Sequence, residues 1–194
     1  MECFSVAEWI TAIAAAVTAY TVVVAWKQFK ADHERSRREK SVELILEWSK
    51  SLNPKASSAR KFAEVLNKEQ TVSLFKQEEI TIESKHKSLL EACLDVIEEK
   101  GSKIQLSRKQ VSKVRWEIIS YLNKLEAILS AWRHNVADRD IISEQFQYLI
   151  RPEDGHTLLE EFLRASKNSY PSIKEFAEHL NKQADQKNGK DKIA

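Results

Sequence analysis

Glycine and proline are scarce: the chain has three of each in 194 residues, too few to turn a strand-rich fold or to break many helices. The composition therefore predicts an all-α fold built on one modest domain. Cysteine is scarcer still. Cys3 precedes a long apolar run and Cys93 falls in a segment of helical pattern, so there is no disulfide framework and no zinc-ligand spacing, and a reducing compartment fits. An excess of one charge is also missing, because 31 basic against 29 acidic side chains leave a formal +2. That balance excludes a whole-chain nucleic-acid field and an acidic disordered tail. The strong chemical motifs are absent too: no phosphate-cradling glycine loop, no paired CxxC, no HExxH and no GxSxG. No metal or cofactor is expected, and the isolated His33, His86, His134 and His179 are assigned no role.

What the sequence does have is a charge-free run, WITAIAAAVTAYTVVVAW at residues 9–26, flanked by Glu8 and Lys27. Its length just suffices to cross a hydrocarbon core of about 30 Å, so residues 5–28 read as a transmembrane helix. A cleaved signal peptide competes with that reading, but the preceding MECFSVAE has no Lys or Arg, where signal peptides carry a positive region. A buried core helix competes as well. Trp9 and Trp26 bracket the run as interfacial anchors, and no other segment is apolar enough to surround it. Lys27, Lys30, Arg35, Arg37, Arg38 and Lys40 follow the run, with no basic residue before it. The positive-inside rule then places the N-terminus outside and the C-terminal body in the cytoplasm. The same cluster is a candidate contact for anionic lipid headgroups, or a solvated helix face interleaved with Asp32, Glu34 and Glu39.

Within the run, Thr11, Ala14, Thr18, Thr21, Ala25 and Gln28 recur at spacings of three and four and share one helix face. Small and hydroxylic faces suit close helix packing, so the stripe predicts a homo-oligomer, or the lining of a narrow pore. The plain alternative is that Ala and Thr are tolerated anywhere in a weakly apolar span.

Beyond the run no Gly or Pro occurs before Asn53-Pro54, and Val42, Leu44, Ile45 and Trp48 continue the apolar pattern, so residues 29–53 form a helical stalk. Residues 54–181 should make a cytoplasmic helical bundle. A short helix is expected around 58–67 and the stretch 71–81 is ambiguous. The apolar spacing of Leu89, Leu90, Cys93, Leu94 and Ile97 predicts a helix closed by Lys100 and Gly101. The spine should run over 107–135 with Val111, Val114, Ile118, Leu122, Leu125, Leu129 and Trp132 inward. Asp138 or Asp140 caps a helix through Ile150, another holds Leu158, Leu159, Phe162 and Leu163, and Pro171 begins the last. Residues 182–194 cannot bury a core face and should form a flexible tail.

At one helix junction stands Arg151-Pro-Glu-Asp-Gly-His156. This Arg-x4-His spacing resembles the HEPN ribonuclease signature, in which Arg and His of two protomers meet at a dimer interface to cleave RNA. The resemblance implies a metal-independent site in which His156 handles protons and Arg151 stabilises phosphate charge. The chain departs from the usual pattern of a continuous helix, which Pro152 and Gly155 would disturb, re-aiming both side chains. A loop in which Arg151 caps the preceding carbonyls and His156 starts the next helix is the structural alternative. Together with the span, the stalk and YLNKLEAIL at residues 121–129, the layout resembles the small transmembrane accessory proteins of type VI CRISPR systems, which carry a divergent HEPN-like domain behind a membrane helix. It is also similar to a wider group of bacterial membrane-anchored helical domains with a segment like Tyr121-Leu-Asn-Lys-Leu-Glu126. That resemblance implies an inner-membrane antiviral effector that assembles with itself and opens a pore, partnered by a CRISPR effector or another defence protein. Two other classes stay open: a membrane-tethered ribonuclease acting on RNA, and a non-catalytic anchor that recruits a cytosolic partner.

Overall fold

A computed structural model describes residues 6–150, 159–167 and 169–190. The chain is mostly helical. α1 (Val6–Ser51) is a single helix of 46 residues, as the absence of Gly and Pro requires. Asn53 closes the following turn, its side chain accepting a hydrogen bond from the Ala56 backbone N–H at 2.7 Å. α2 (Pro54–Glu64) then starts with proline at a position where no helical N–H is needed. Asn67 and Gln70 form a reciprocal capping box that opens α3 (Lys68–Lys76), so the helix expected around 58–67 is α2, ending at Glu64, and the first part of the ambiguous stretch 71–81 is helical.

The all-α expectation needs correcting over 80–106. β1 (Ile80–Glu83), β2 (Glu99–Lys100) and β3 (Lys103–Leu106) form an antiparallel sheet in the order β1-β3-β2, with Ile82 opposite Ile104. Ile80, Ile82, Ile104 and Leu106 turn inward and their neighbours outward, the two-residue period of a half-buried strand. Gly101 therefore does not cap a helix. Its φ of +66° sits in the two-residue turn joining β2 to β3, where a glycine adopts the left-handed region without strain. The long helix expected through Ile97 shrinks to α4 (Ser88–Glu91). Leu90, Cys93 and Leu94 are buried all the same, so the apolar spacing reported burial rather than helix.

α5 (Arg108–Arg133) is the spine: Val111, Val114, Ile118, Leu122, Leu125 and Leu129 are each fully buried along it. α2 and α8 (Pro171–Lys190) pack against it. α6 (Arg139–Phe146) is capped by Asp138, whose carboxylate accepts from the Asp140 and Ile141 amides, and a 3-10 turn follows at Gln147–Ile150. α7 (Glu160–Ala165) lies against α3. The last helix runs to Lys190, well past the start expected for a flexible tail. Once nucleated, a helix propagates at one hydrogen bond per residue, and Lys, Gln and Ala favour it without any buried face.

Candidate functional site

α1 has two halves of opposite character. Its most apolar stretch of 18 residues has a mean hydropathy of 1.7 and none of it is buried against the rest of the chain. Trp9, Tyr20, Trp26 and Phe29 are all exposed. This is a helix long and apolar enough to cross a membrane. Thr11, Ala14, Thr18, Thr21, Ala25 and Gln28 all lie on it, and all are exposed. The Thr18 hydroxyl donates to the Ala14 carbonyl at 2.9 Å, and the Thr21 hydroxyl to the Thr18 carbonyl at 2.8 Å. Such bonds within one helix satisfy a hydroxyl in a medium that offers no water. These two threonines therefore need neither a pore nor a neighbouring helix to meet their polar requirement.

The basic cluster divides along the same axis. Lys27, Lys30 and Arg35 are exposed, and Arg35 pairs with Glu39 one turn on at 2.9 Å. Arg37 and Arg38 are engaged elsewhere. Arg37 turns inward and donates to the Ala137 carbonyl at 3.3 Å, and Arg38 reaches the Asp138 carboxylate at 3.7 Å. Both therefore reach the join between stalk and bundle.

That join is built around Ser41, fully buried although polar. Its hydroxyl donates to the Arg37 carbonyl at 3.0 Å and accepts from the Asp138 backbone N–H at 2.7 Å. Asp138 thus holds α6 with its side chain and α1 with its backbone. About two turns further on, Trp48 packs between Tyr121 and Phe146, with ring centres 5.3 and 5.6 Å apart. Lys124 closes the end of α1 by donating to the Ser51 carbonyl at 3.3 Å, a cation at the negative end of a helix. Nothing in the sequence marks Ser41 as special, because its partner lies 97 residues away.

The segment Tyr121-Leu-Asn-Lys-Leu-Glu126 acquires a physical meaning here. Tyr121 meets Trp48 of α1 and Lys124 caps that helix. Glu126 accepts from the Ser172 and Ile173 amides at 2.8 and 3.0 Å, fixing the N-terminus of α8. Six residues thus tie the stalk and the last helix to the spine, so the motif is architectural. Near it, Arg60 and Glu64 of α2 form an ion pair at 2.6 Å with both side chains about nine-tenths covered. Burial raises the Tyr121 hydroxyl well above the ordinary phenol range, against a smaller opposing pull from Arg60.

Arg151 and His156 lie outside the described residues. Among the described residues no group of His, Cys, Asp and Glu is arranged to hold a metal. No curated protein and no solved structure matches the chain. One family profile does, over residues 9–184, and this match takes in both the apolar half of α1 and the whole spine. The chain belongs to the family described as a domain of unknown function, DUF4760.

Proposed function

We propose that this protein is a single-span membrane anchor whose α1 crosses the bilayer and carries a non-catalytic helical bundle, on the cytoplasmic side, as a docking module for a cytosolic partner. The observation that carries this reading is the division of α1: one uninterrupted helix, uncovered over its apolar half and built into the core through Ser41 and Trp48 at its other end. Removal as a leader would sever a continuous helix just before the part the core needs. The family match, which begins at Trp9, also treats the apolar stretch as part of the shared domain. Trp9 and Trp26 suit the two interfaces, and the basic residues after Trp26 set the orientation.

Helical geometry limits the lipid contact. The polar layer on each side of the hydrocarbon is about 5–8 Å deep. At 1.5 Å per residue, Lys27 and Lys30 fall within about 6 Å of Trp26, whereas Arg35 lies about 13 Å beyond it. The headgroup role therefore rests with Lys27 and Lys30.

The test is extraction with alkaline carbonate, together with intact mass and protease protection of a C-terminal tag. Expected are retention in the membrane pellet, the uncleaved mass, and digestion of the tag only once the cytoplasmic side is opened. Release into the supernatant, or a mass lacking the apolar run, overturns the reading.

A second reading is favoured by the exposed stripe of Thr11, Thr18 and Thr21: an oligomeric defence effector that depolarises the membrane. Leucine at all three positions should abolish depolarisation and leave insertion intact, and depolarisation that survives removes the stripe from the mechanism.

A further inference from the structure

The outward face of α1 turns polar just beyond the apolar run and then apolar again further on. Gln28, Asp32, Arg35, Glu39, Val42 and Leu46 follow one another at spacings of four and three, and every one is exposed. With 3.6 residues per turn they lie on the side of the helix opposite Arg37, Ser41, Leu44 and Trp48, which face the bundle. Val42 is 51% exposed and Leu46 54%. At 1.5 Å per residue these two stand about 24 and 30 Å beyond Trp26 along the axis, far outside the polar layer of a bilayer. Lipid covers neither, on the reading of α1 as a membrane span, and the bundle packs on the other side. The same line continues upstream through Ala25, Thr21, Val17 and Ala14, where small side chains allow close approach.

We propose that a second copy of this chain covers this face, the two α1 helices running parallel from the bilayer to Leu46. The proposal rests on the span, because copies inserted by the same positive-inside rule present their helices in parallel and at the same height. The charges between the two apolar ends select such a partner. Arg35 sits between Asp32 and Glu39 on the face, so in a parallel pair each Arg35 lies within a turn of the partner's Asp32 and the partner's Glu39. The Arg35–Glu39 bond within one helix at 2.9 Å is then shared across the pair. Spacings of three and four along a straight seam wind two helices into a left-handed crossing. Val42 and Leu46 close that seam on the cytoplasmic side as a small dry contact, with each bundle on the far side of its own α1.

The experiment is oxidative cross-linking of the full-length protein in membranes, in a Cys3→Ser background that keeps the buried Cys93. Leu46→Cys should link at least about tenfold more dimer than the off-face control Glu47→Cys. Adding Arg35→Glu leaves three acids on the face and should cut the Leu46→Cys product by about tenfold, and Arg35→Glu with Glu39→Arg should restore it to within about twofold. Equal linking at the two positions, or a yield indifferent to the charge reversal, overturns the proposal. Carbonate extraction of the same samples separates it from the anchor reading. Protein retained in the pellet without a Leu46 link removes the dimer and keeps the anchor, and protein released to the supernatant removes both.

Discussion

Cys93, Tyr121 and Tyr170 carry protons that folding protects. The Cys93 thiol donates to the Lys55 carbonyl at 3.1 Å, and burial is the leading cause that pushes it above the ordinary thiol value of 9.0. Burial likewise lifts Tyr121 and Tyr170 above the ordinary phenol value of 10.0. In each case the folded chain holds the proton to a higher pH than the unfolded chain does, so stability falls as pH rises through the unfolded values. Thermal midpoints should stay level near neutrality and decline from about pH 9 upward, with Tyr121→Phe reducing the slope above about pH 10. A midpoint that holds steady to pH 11 would contradict this. At this scale the sequence showed which residues are buried but not what they touch: Trp132, Leu122 and Leu125 were readable from their spacing, whereas Arg37 read as one of a row of surface cations. Only the position of the turn at Ala137 and Asp138 turns it inward.

Among the elements, α8 depends on a single side chain of another helix. Glu126 supplies both oxygens to the first free amides of α8, a charge-assisted cap from α5. Glu126→Ala should cost about 1–2 kcal/mol and should speed amide exchange at Ser172 and Ile173 ahead of the spine. Equal exchange in both places would mean that the cap contributes nothing local. Long elements were legible in advance, since α1 and α5 repeat their pattern over many turns and begin or end at Ser107, Asn53 and Asn135. The sheet was not, because strands of two to four residues offer too few alternations to outweigh the helical spacing of Leu89, Leu90, Cys93 and Leu94. Both patterns report burial, and only the pairing partner distinguishes them.

For the whole molecule, the division into apolar helix, stalk and bundle was visible from composition alone. The join between them was not, because the Ser41–Asp138 contact closes a loop of 97 residues and leaves no local mark. That join fixes the stalk at its bundle end, and residues 28–36 before it contain neither Gly nor Pro. Ser36→Pro should bend this shaft while leaving the melting of the bundle nearly unchanged, since the residue is exposed and lies outside the core. A large loss of stability would show that the bundle leans on the stalk more heavily than its contacts indicate.

Because α1 is one unbroken helix, it fixes heading as well as height. With α1 crossing the bilayer as proposed, each residue added between 28 and 36 lifts the bundle by about 1.5 Å and swings it by about 100° about the membrane normal. Any process that needs one particular side of the bundle to meet its target would then rise and fall with a period of about 3.6 inserted residues, so the stalk works as a compass needle whose bearing is set by counting amino acids.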